Sequence, residues 1–287
     1  MPFQGVVNSW LSVSREGQQE GRLEGTSKKE LPMLSAGASD ILAICVLAVL
    51  GLSLAGWVLL MLRRSPFSPA QSALYALVYV LTRVLWRASI RGRFPIPHGK
   101  GAVIICNHRS SLDPSFIALS VPRVVHWLVA REYCEFPLFR GILRLCGSIP
   151  TNRGGIDTAA TKAAIRIVEQ GGLVGLFPEG RINETEQTLL PGHPGAAMIA
   201  LKARAPVVPC YIHGAPYDGT ALGCLLMPAS VRLEIGEPID LSAYFDRASD
   251  RELLDELTLR FLKAIADLAG DDDFQPRLAG RLPKPTP

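Results

Sequence analysis

A histidine with an aspartate five residues after it, His108 and Asp113, is the pairing in this chain best suited to acid–base work. An imidazole with one nitrogen held by a carboxylate keeps a fixed tautomer and gains basicity, which taking a proton from an alcohol requires. On a continuous helix the two residues would stand about 140° apart, at about 100° per residue, and could not touch. They lie instead between an apolar run, Ala102–Cys106, and Pro114, a residue suited to the first turn of a helix. Residues 108 to 113 therefore read as a turn that can fold Asp113 back beside His108. The other reading of the same spacing is that Asp113 caps the following helix and His108 is a loop residue.

Further along, two arginines stand where an anion could be held. Arg153 ends the stretch Gly147-Ser148-Ile149-Pro150-Thr151-Asn152 and precedes Gly154-Gly155, so a guanidinium adjoins backbone able to bend toward a phosphate. Glu179, Gly180 and Arg181 follow the apolar run Leu173–Phe177, at the strand end where open α/β sheets take their ligands. Arginine offers a bidentate fork that lysine does not. Ser110 and Ser111 lack the Gly-x-Ser-x-Gly setting of a nucleophilic serine. The six cysteines are widely separated and the five histidines show no ligand spacing, so neither a disulfide framework nor a metal centre is expected.

The elements that must position these groups can be read from the hydrophobic pattern. Apolar runs of strand length, Ala102–Cys106, His126–Ala130, Leu173–Phe177, Val207–Ile212 and Val231–Ile235, alternate with helical stretches near Pro114–Leu119, Pro137–Leu145, Thr158–Glu169 and Gly195–Ala203. That alternation predicts an α/β fold with a mostly parallel sheet flanked by helices. A last amphipathic helix, Arg251–Leu268, follows the cap candidates Ser249 and Asp250.

Ahead of this domain the composition changes. The chain has 287 residues, 48% hydrophobic and 20% charged, with a formal net charge of +4. This is too apolar for a disordered chain and too weakly basic to favour nucleic acid. Much of the apolar surplus sits in Ile41–Leu62, which contains no charged residue. As a helix it would be about 33 Å long, enough for a hydrocarbon core of about 30 Å. Arginines 63, 64, 83, 87, 91 and 93 follow it, against Lys28 and Lys29 before it. The positive-inside rule then places the C-terminal bulk on the cytoplasmic side. After the prolines at 66 and 69, Ala73–Ile90 carries Tyr75, Tyr79, Arg83, Trp86 and Arg87 at three- and four-residue spacing, as in a helix lying on a membrane surface. The expected organisation is an arm over 1–40, a transmembrane helix over 41–62, a connector and interfacial helix over 65–94, a catalytic domain over 95–270 and a disordered tail over 271–287.

Four segments in order resemble the glycerophospholipid acyltransferase family, the PlsC-type lysophosphatidate enzymes. Asn107, His108 and Asp113 match its first motif, and Gly147 through Arg153 the second. Phe177-Pro178-Glu179-Gly180-Arg181 matches the third without its Thr, and Val207-Val208-Pro209-Cys210-Tyr211-Ile212 the fourth. His193-Pro194-Gly195 stands where the family shows Lys-x-Gly. The resemblance implies transfer of a fatty acyl group from acyl-CoA or acyl-carrier protein to the hydroxyl of lysophosphatidate in phospholipid biosynthesis, with no cofactor beyond that co-substrate. His108 and Asp113 would be catalytic; Arg153, Glu179, Gly180 and Arg181 would bind substrate, with Asn107 and His193 as further candidates. The departures at the third motif and at His193 leave room for other acceptors: lysophosphatidylethanolamine, glycerol 3-phosphate or a lyso-aminolipid. A lipid-binding membrane protein without catalysis and a lipid hydrolase are the readings from other classes.

Overall fold

The structure is a computed structural model that describes residues 36–64, 67–121, 123–152, 157–217, 219–220 and 223–280. Ala36–Arg64 forms one helix, α1. Every side chain described between residues 40 and 53 is exposed. Among the described residues no helix is long and apolar enough to cross a membrane. The side chains of α1 are described only at 37, 40–53 and 56, so the span expected over Ile41–Leu62 falls partly outside the described residues. The arm over 1–35 and the end of the tail over 281–287 lie outside them as well.

Pro69–Val84 is α2, opened by a reciprocal capping box between Ser68 and Gln71 with Pro69 in its first turn. The helix is shorter than the apolar stretch Ala73–Ile90 suggested. Arg87 takes a left-handed backbone conformation, φ 39°, which turns the chain into a short strand, β1, Ser89–Arg91. Trp86, expected on a surface stripe, is instead fully buried with its ring edge-on to Phe116.

Then come β2 (Ala102–Cys106), α3 (Asp113–Ala118), β3 (Val125–Ala130), α4 (Arg131–Glu135), α5 (Pro137–Leu145) and β4 (Ile149–Thr151). They are followed by α6 (Thr158–Glu169), β5 (Leu173–Leu176), α7 (Gly195–Lys202), β6 (Val207–His213), β7 (Arg232–Ile235) and α8 (Arg251–Ala269). The seven strands make one sheet in the order β1-β7-β6-β2-β5-β3-β4. All neighbours run parallel except β6 and β7, so the fold is α/β with a mostly parallel, helix-flanked sheet.

Both faces of this sheet are covered, which is why its central strands read as unbroken apolar runs. Along β2, Val103 and Ile105 point into one core with Ala164, Leu201, Leu257 and Phe261 from α6, α7 and α8. Ala102, Ile104 and Cys106 alternate to the other face and meet Trp86, Phe116 and Ile117. Fully buried on both sides, β2 is a rigid base for whatever its C-terminal end carries.

Candidate active site

The chain leaves β2 at Asn107, and there the chemistry collects. Asn107 is fully buried; its amide donates to the Ile212 carbonyl at 3.0 Å and its Oδ1 accepts from the Ile212 N–H at 2.7 Å. Those bonds splice the end of β2 to β6. Both polar ends of the Asn107 side chain thus bond one backbone residue, Ile212, and the Cys106 Sγ also lies 3.3 Å from its Oδ1.

One residue on, His108 is held through its backbone and its ring. Its N–H donates to Glu179 Oε1 at 2.7 Å and its carbonyl accepts from the Asn183 N–H at 2.7 Å. Nδ1 lies 3.0 Å from Asp113 Oδ2. Asp113 is fully buried, and the same Oδ2 accepts from the N–H groups of Arg109 at 2.7 Å and Ser110 at 2.8 Å. The turn thus folds back as one of the two sequence readings allowed. Asp113 begins α3 without capping it forward; its carboxylate reaches upstream and organises residues 108 to 110. With Nδ1 donating to that carboxylate, Nε2 carries the basic lone pair, and no described residue hydrogen-bonds it.

The imidazole plane is set by stacking. His108 lies over Phe177 with centroids 3.9 Å apart and planes within 7°, and Phe177 lies over Trp127 at 4.7 Å and 17°. Three rings, two of them just past the ends of β2 and β5 and the third on β3, form a column made possible by Gly175. A Cβ there would stand 2.6 Å from the Trp127 ring. Phe177→Leu is expected to lower kcat about two- to tenfold with the acceptor KM unchanged, because an aromatic pair contributes about 0.5–1.5 kcal/mol beyond area. Steady-state kinetics check this, with Phe177→Tyr expected to restore turnover.

Glu179, expected to contact substrate, turns its carboxylate to the backbone. It is 3% exposed, with Oε1 bound by the His108 N–H and Oε2 by the Leu190 N–H at 2.7 Å. Both oxygens serve the backbone, and Oε1 holds the His108 N–H. Burial pushes its pKa up to about 7, against the lowering effect of those two bonds and of nearby His108 and Arg109. A carboxyl that binds its proton more tightly when folded stabilises the fold fully below about 4.5. That contribution declines as pH rises toward about 7 and is level beyond. Glu179→Gln is expected to remove this slope. It should also weaken the fold by about 1–3 kcal/mol, since a Gln oxygen can serve one N–H while its amide faces the other. Denaturant titrations between pH 4 and 8 measure both.

Phe177 and Gly180 close a turn after β5, the Gly180 N–H donating to the Phe177 carbonyl at 3.0 Å with Gly180 at φ 70°. The exposed His193 ring lies against Gly180; a Cβ on Gly180 would sit 3.1 Å from it. The His193 N–H donates to the Pro178 carbonyl at 2.8 Å. Arg181 is exposed, and its guanidinium has no hydrogen bond or ion pair with the described residues. Gly180, Arg181 and His193 therefore share one rim of the site. Arg153 lies outside the described residues.

Sequence reasoning missed Arg109. Its guanidinium donates to the carbonyls of Asn183 (3.0 Å), Thr185 and Gln187, clasping the loop after Arg181. Asn183, buried, completes the clasp by donating to the Gln187 carbonyl at 2.8 Å. Arg109 sits inside the His-x4-Asp segment, but backbone carbonyls leave no mark in a sequence by which such a partner could be found.

Comparison with known proteins shows what this chain is similar to. The Acyltransferase family profile matches residues 87–213, which contain His108, Asp113, Glu179 and Arg181. A 1-acyl-sn-glycerol-3-phosphate acyltransferase of Bacillus subtilis is 27% identical over 175 residues, 60% of this chain and 83% of that protein. Proteins of the same name are 29% identical in Cocos nucifera and 28% in Borreliella burgdorferi, where this chain spans 46% and 54% of the relative. The fold is similar to that of the 1-acyl-sn-glycerophosphate acyltransferase PlsC of Thermotoga maritima, with a TM-score of 0.54 at 20% identity over 81% of this chain and 91% of that one. The His–Asp turn at the carboxyl end of the sheet thus lies within the residues that the Acyltransferase profile matches, and the chain is similar to 1-acyl-sn-glycerol-3-phosphate acyltransferases in sequence and to PlsC in fold.

Proposed function

We propose that the protein transfers a fatty acyl group from a thioester, acyl-CoA or acyl-carrier protein, to the free hydroxyl of lysophosphatidate, giving phosphatidate. The observation that carries this reading is the 3.0 Å contact of His108 Nδ1 with Asp113 Oδ2, with Nε2 unbonded by any described residue. The hydroxyl proton passes to Nε2 as the oxygen attacks the thioester carbonyl. The tetrahedral adduct collapses, the C–S bond breaks, and the leaving thiolate takes the proton back from the imidazolium. Asp113 stabilises that imidazolium, and no acyl-enzyme is needed.

Lysophosphatidate is favoured as acceptor by the names of the relatives and by the rim of Gly180, Arg181 and His193; Arg153, outside the described residues, stays a candidate from its place in the sequence. Membrane attachment belongs to the same reading: α1 as the anchor over Ile41–Leu62, and the catalytic domain on the cytoplasmic side. Its support is the charge-free composition of that stretch and the arginines that follow it.

Incubation with labelled acyl-CoA and a mixture of lysolipids, read by mass spectrometry, tests the proposal. Labelled phosphatidate is expected. Another labelled phospholipid would replace the acceptor, and the absence of any acylated lipid would overturn acyl transfer.

A further inference from the structure

Past Gly270, whose left-handed backbone (φ 76°) ends α8, the chain turns onto the loop that carries the rim of the site. Lys263 on α8 donates to the Asp272 carbonyl at 2.8 Å, and Phe274 packs against the core formed with α6, α7 and α8. The chain is thereby led to Gly192. There the Gly192 N–H donates to the Arg277 carbonyl and the Ala279 N–H to the Gly192 carbonyl, both at 2.9 Å, in a short parallel bridge of Gly192 with Leu278. Two side-chain bonds lie beside it: Arg277 Nη2 donates to Gln187 Oε1 at 2.9 Å, and Thr188 Oγ1 donates to Asp271 Oδ2. Gly192 is buried, and a Cβ on it would stand 2.9 Å from the Leu262 side chain, so the loop lies close between α8 and the tail.

Between β5 and α7 the chain forms no helix or strand apart from that bridge. A connection of this kind takes its rigidity from bonds to its neighbours. Arg109 holds the front of the loop at the carbonyls of Asn183, Thr185 and Gln187, and Glu179 holds the Leu190 N–H. The tail holds the other end. Gly192 adjoins His193, whose N–H to the Pro178 carbonyl keeps its ring against Gly180. The bonds from the tail therefore act on the part of the rim that Arg109 does not reach.

We propose that residues 271–280 are a strap that fixes His193 beside Gly180, with Arg277 a positioning residue for the acceptor site. The purpose rests on the acceptor rim of the acylation reading, but the strap itself can be measured separately. In the full-length chain, Arg277→Ala with Ala279→Pro removes one donor of each kind, the guanidinium and a backbone N–H. Hydrogen exchange read by mass spectrometry is expected to speed up about tenfold over residues 187–193, with α6 unchanged. The KM for lysophosphatidate should rise about tenfold, with kcat and the acyl-donor KM close to the parent's. Gln187→Ala, which alters only the partner of Arg277, should reproduce part of this rise, and adding it to Arg277→Ala should cost nothing further. Arg277→Lys, still able to donate to Gln187, should keep the parent's values.

Unchanged exchange over 187–193 would overturn the strap. Faster exchange that extends to α6 would overturn it too, since the tail would then be a general support of the fold. Arg181→Ala tests the rim itself and should raise the acceptor KM. Faster exchange confined to the loop, with the acceptor KM unchanged although Arg181→Ala raises it, would overturn the positioning role of Arg277. An acceptor KM that Arg181→Ala leaves unchanged brings down the rim reading instead, and the exchange then decides the strap.

Discussion

Replacing His108 with Ala is expected to lower acyl transfer by about two to four powers of ten in kcat, with little change in the acceptor KM. The base is lost, while the rim formed by Gly180, Arg181 and His193 remains. The substitution is unusually clean because His108 is fixed mainly through its backbone. The bonds to Glu179 and from Asn183 use its N–H and carbonyl, at 2.7 Å each, and both survive in alanine. The fold should therefore be retained, as a near-UV circular dichroism spectrum matching the parent would show. Truncation also opens a slot beside Phe177, whose ring was 3.9 Å from the imidazole. Added imidazole is expected to restore part of the rate. A variant that acylates lysolipids at a rate close to the parent's would remove His108 from the mechanism.

Asp113→Asn is expected to cost less, about two powers of ten in kcat, and for a different reason. Three donors converge on Oδ2: the His108 ring and the backbone N–H groups of Arg109 and Ser110. The two backbone donors require an oxygen at that position, so the asparagine amide must present its carbonyl there. Its NH2 then takes the place of Oδ1, a buried atom with no hydrogen-bond partner. The Nδ1–H tautomer is kept, and what disappears is the negative charge that steadies the imidazolium. Asp113→Ala removes the oxygen as well. It leaves two buried N–H groups unmet, at about 1–3 kcal/mol each, so it should lose stability together with rate. Comparing kcat and denaturation midpoints of the two variants separates charge from architecture; equal losses of both in Asn and Ala would contradict this account.

The central strands were legible in the sequence because burial on both faces makes them continuous apolar runs, and β2 runs over Ala102–Cys106 as read. The end of α2 was not legible. Leu85, Trp86, Ala88 and Ile90 continue the apolar pattern past the helix end, and what stops the helix is the backbone of Arg87 and the demand of the core for Trp86, neither of which has a local signature. In the site, the fold-back of Asp113 toward His108 was one of two readings and needed only the turn between a strand and a proline. The inward turn of Glu179 was not legible for a physical reason. A carboxylate between a proline and a glycine-arginine pair has the composition of a ligand contact, and only the register of β5 beside β2 sends it inward to the His108 N–H. The ring column was hidden likewise, since it needs Trp127 opposite Gly175 across β3 and β5.

The parallel pairing of β1 with β7 ties the fate of α2 to the far rim of the sheet. Ser89, Ile90 and Arg91 lie against Arg232, Leu233 and Glu234, and Arg91 reaches Glu234 at 3.6 Å. A chain beginning at residue 95, where composition alone would start the catalytic domain, would lack this strand and bare the hydrogen-bonding groups along β7. An uncovered, half-apolar strand edge is a template for self-association. The short strand after α2 therefore acts as a seal against aggregation, guarding solubility at the end of the sheet away from β4.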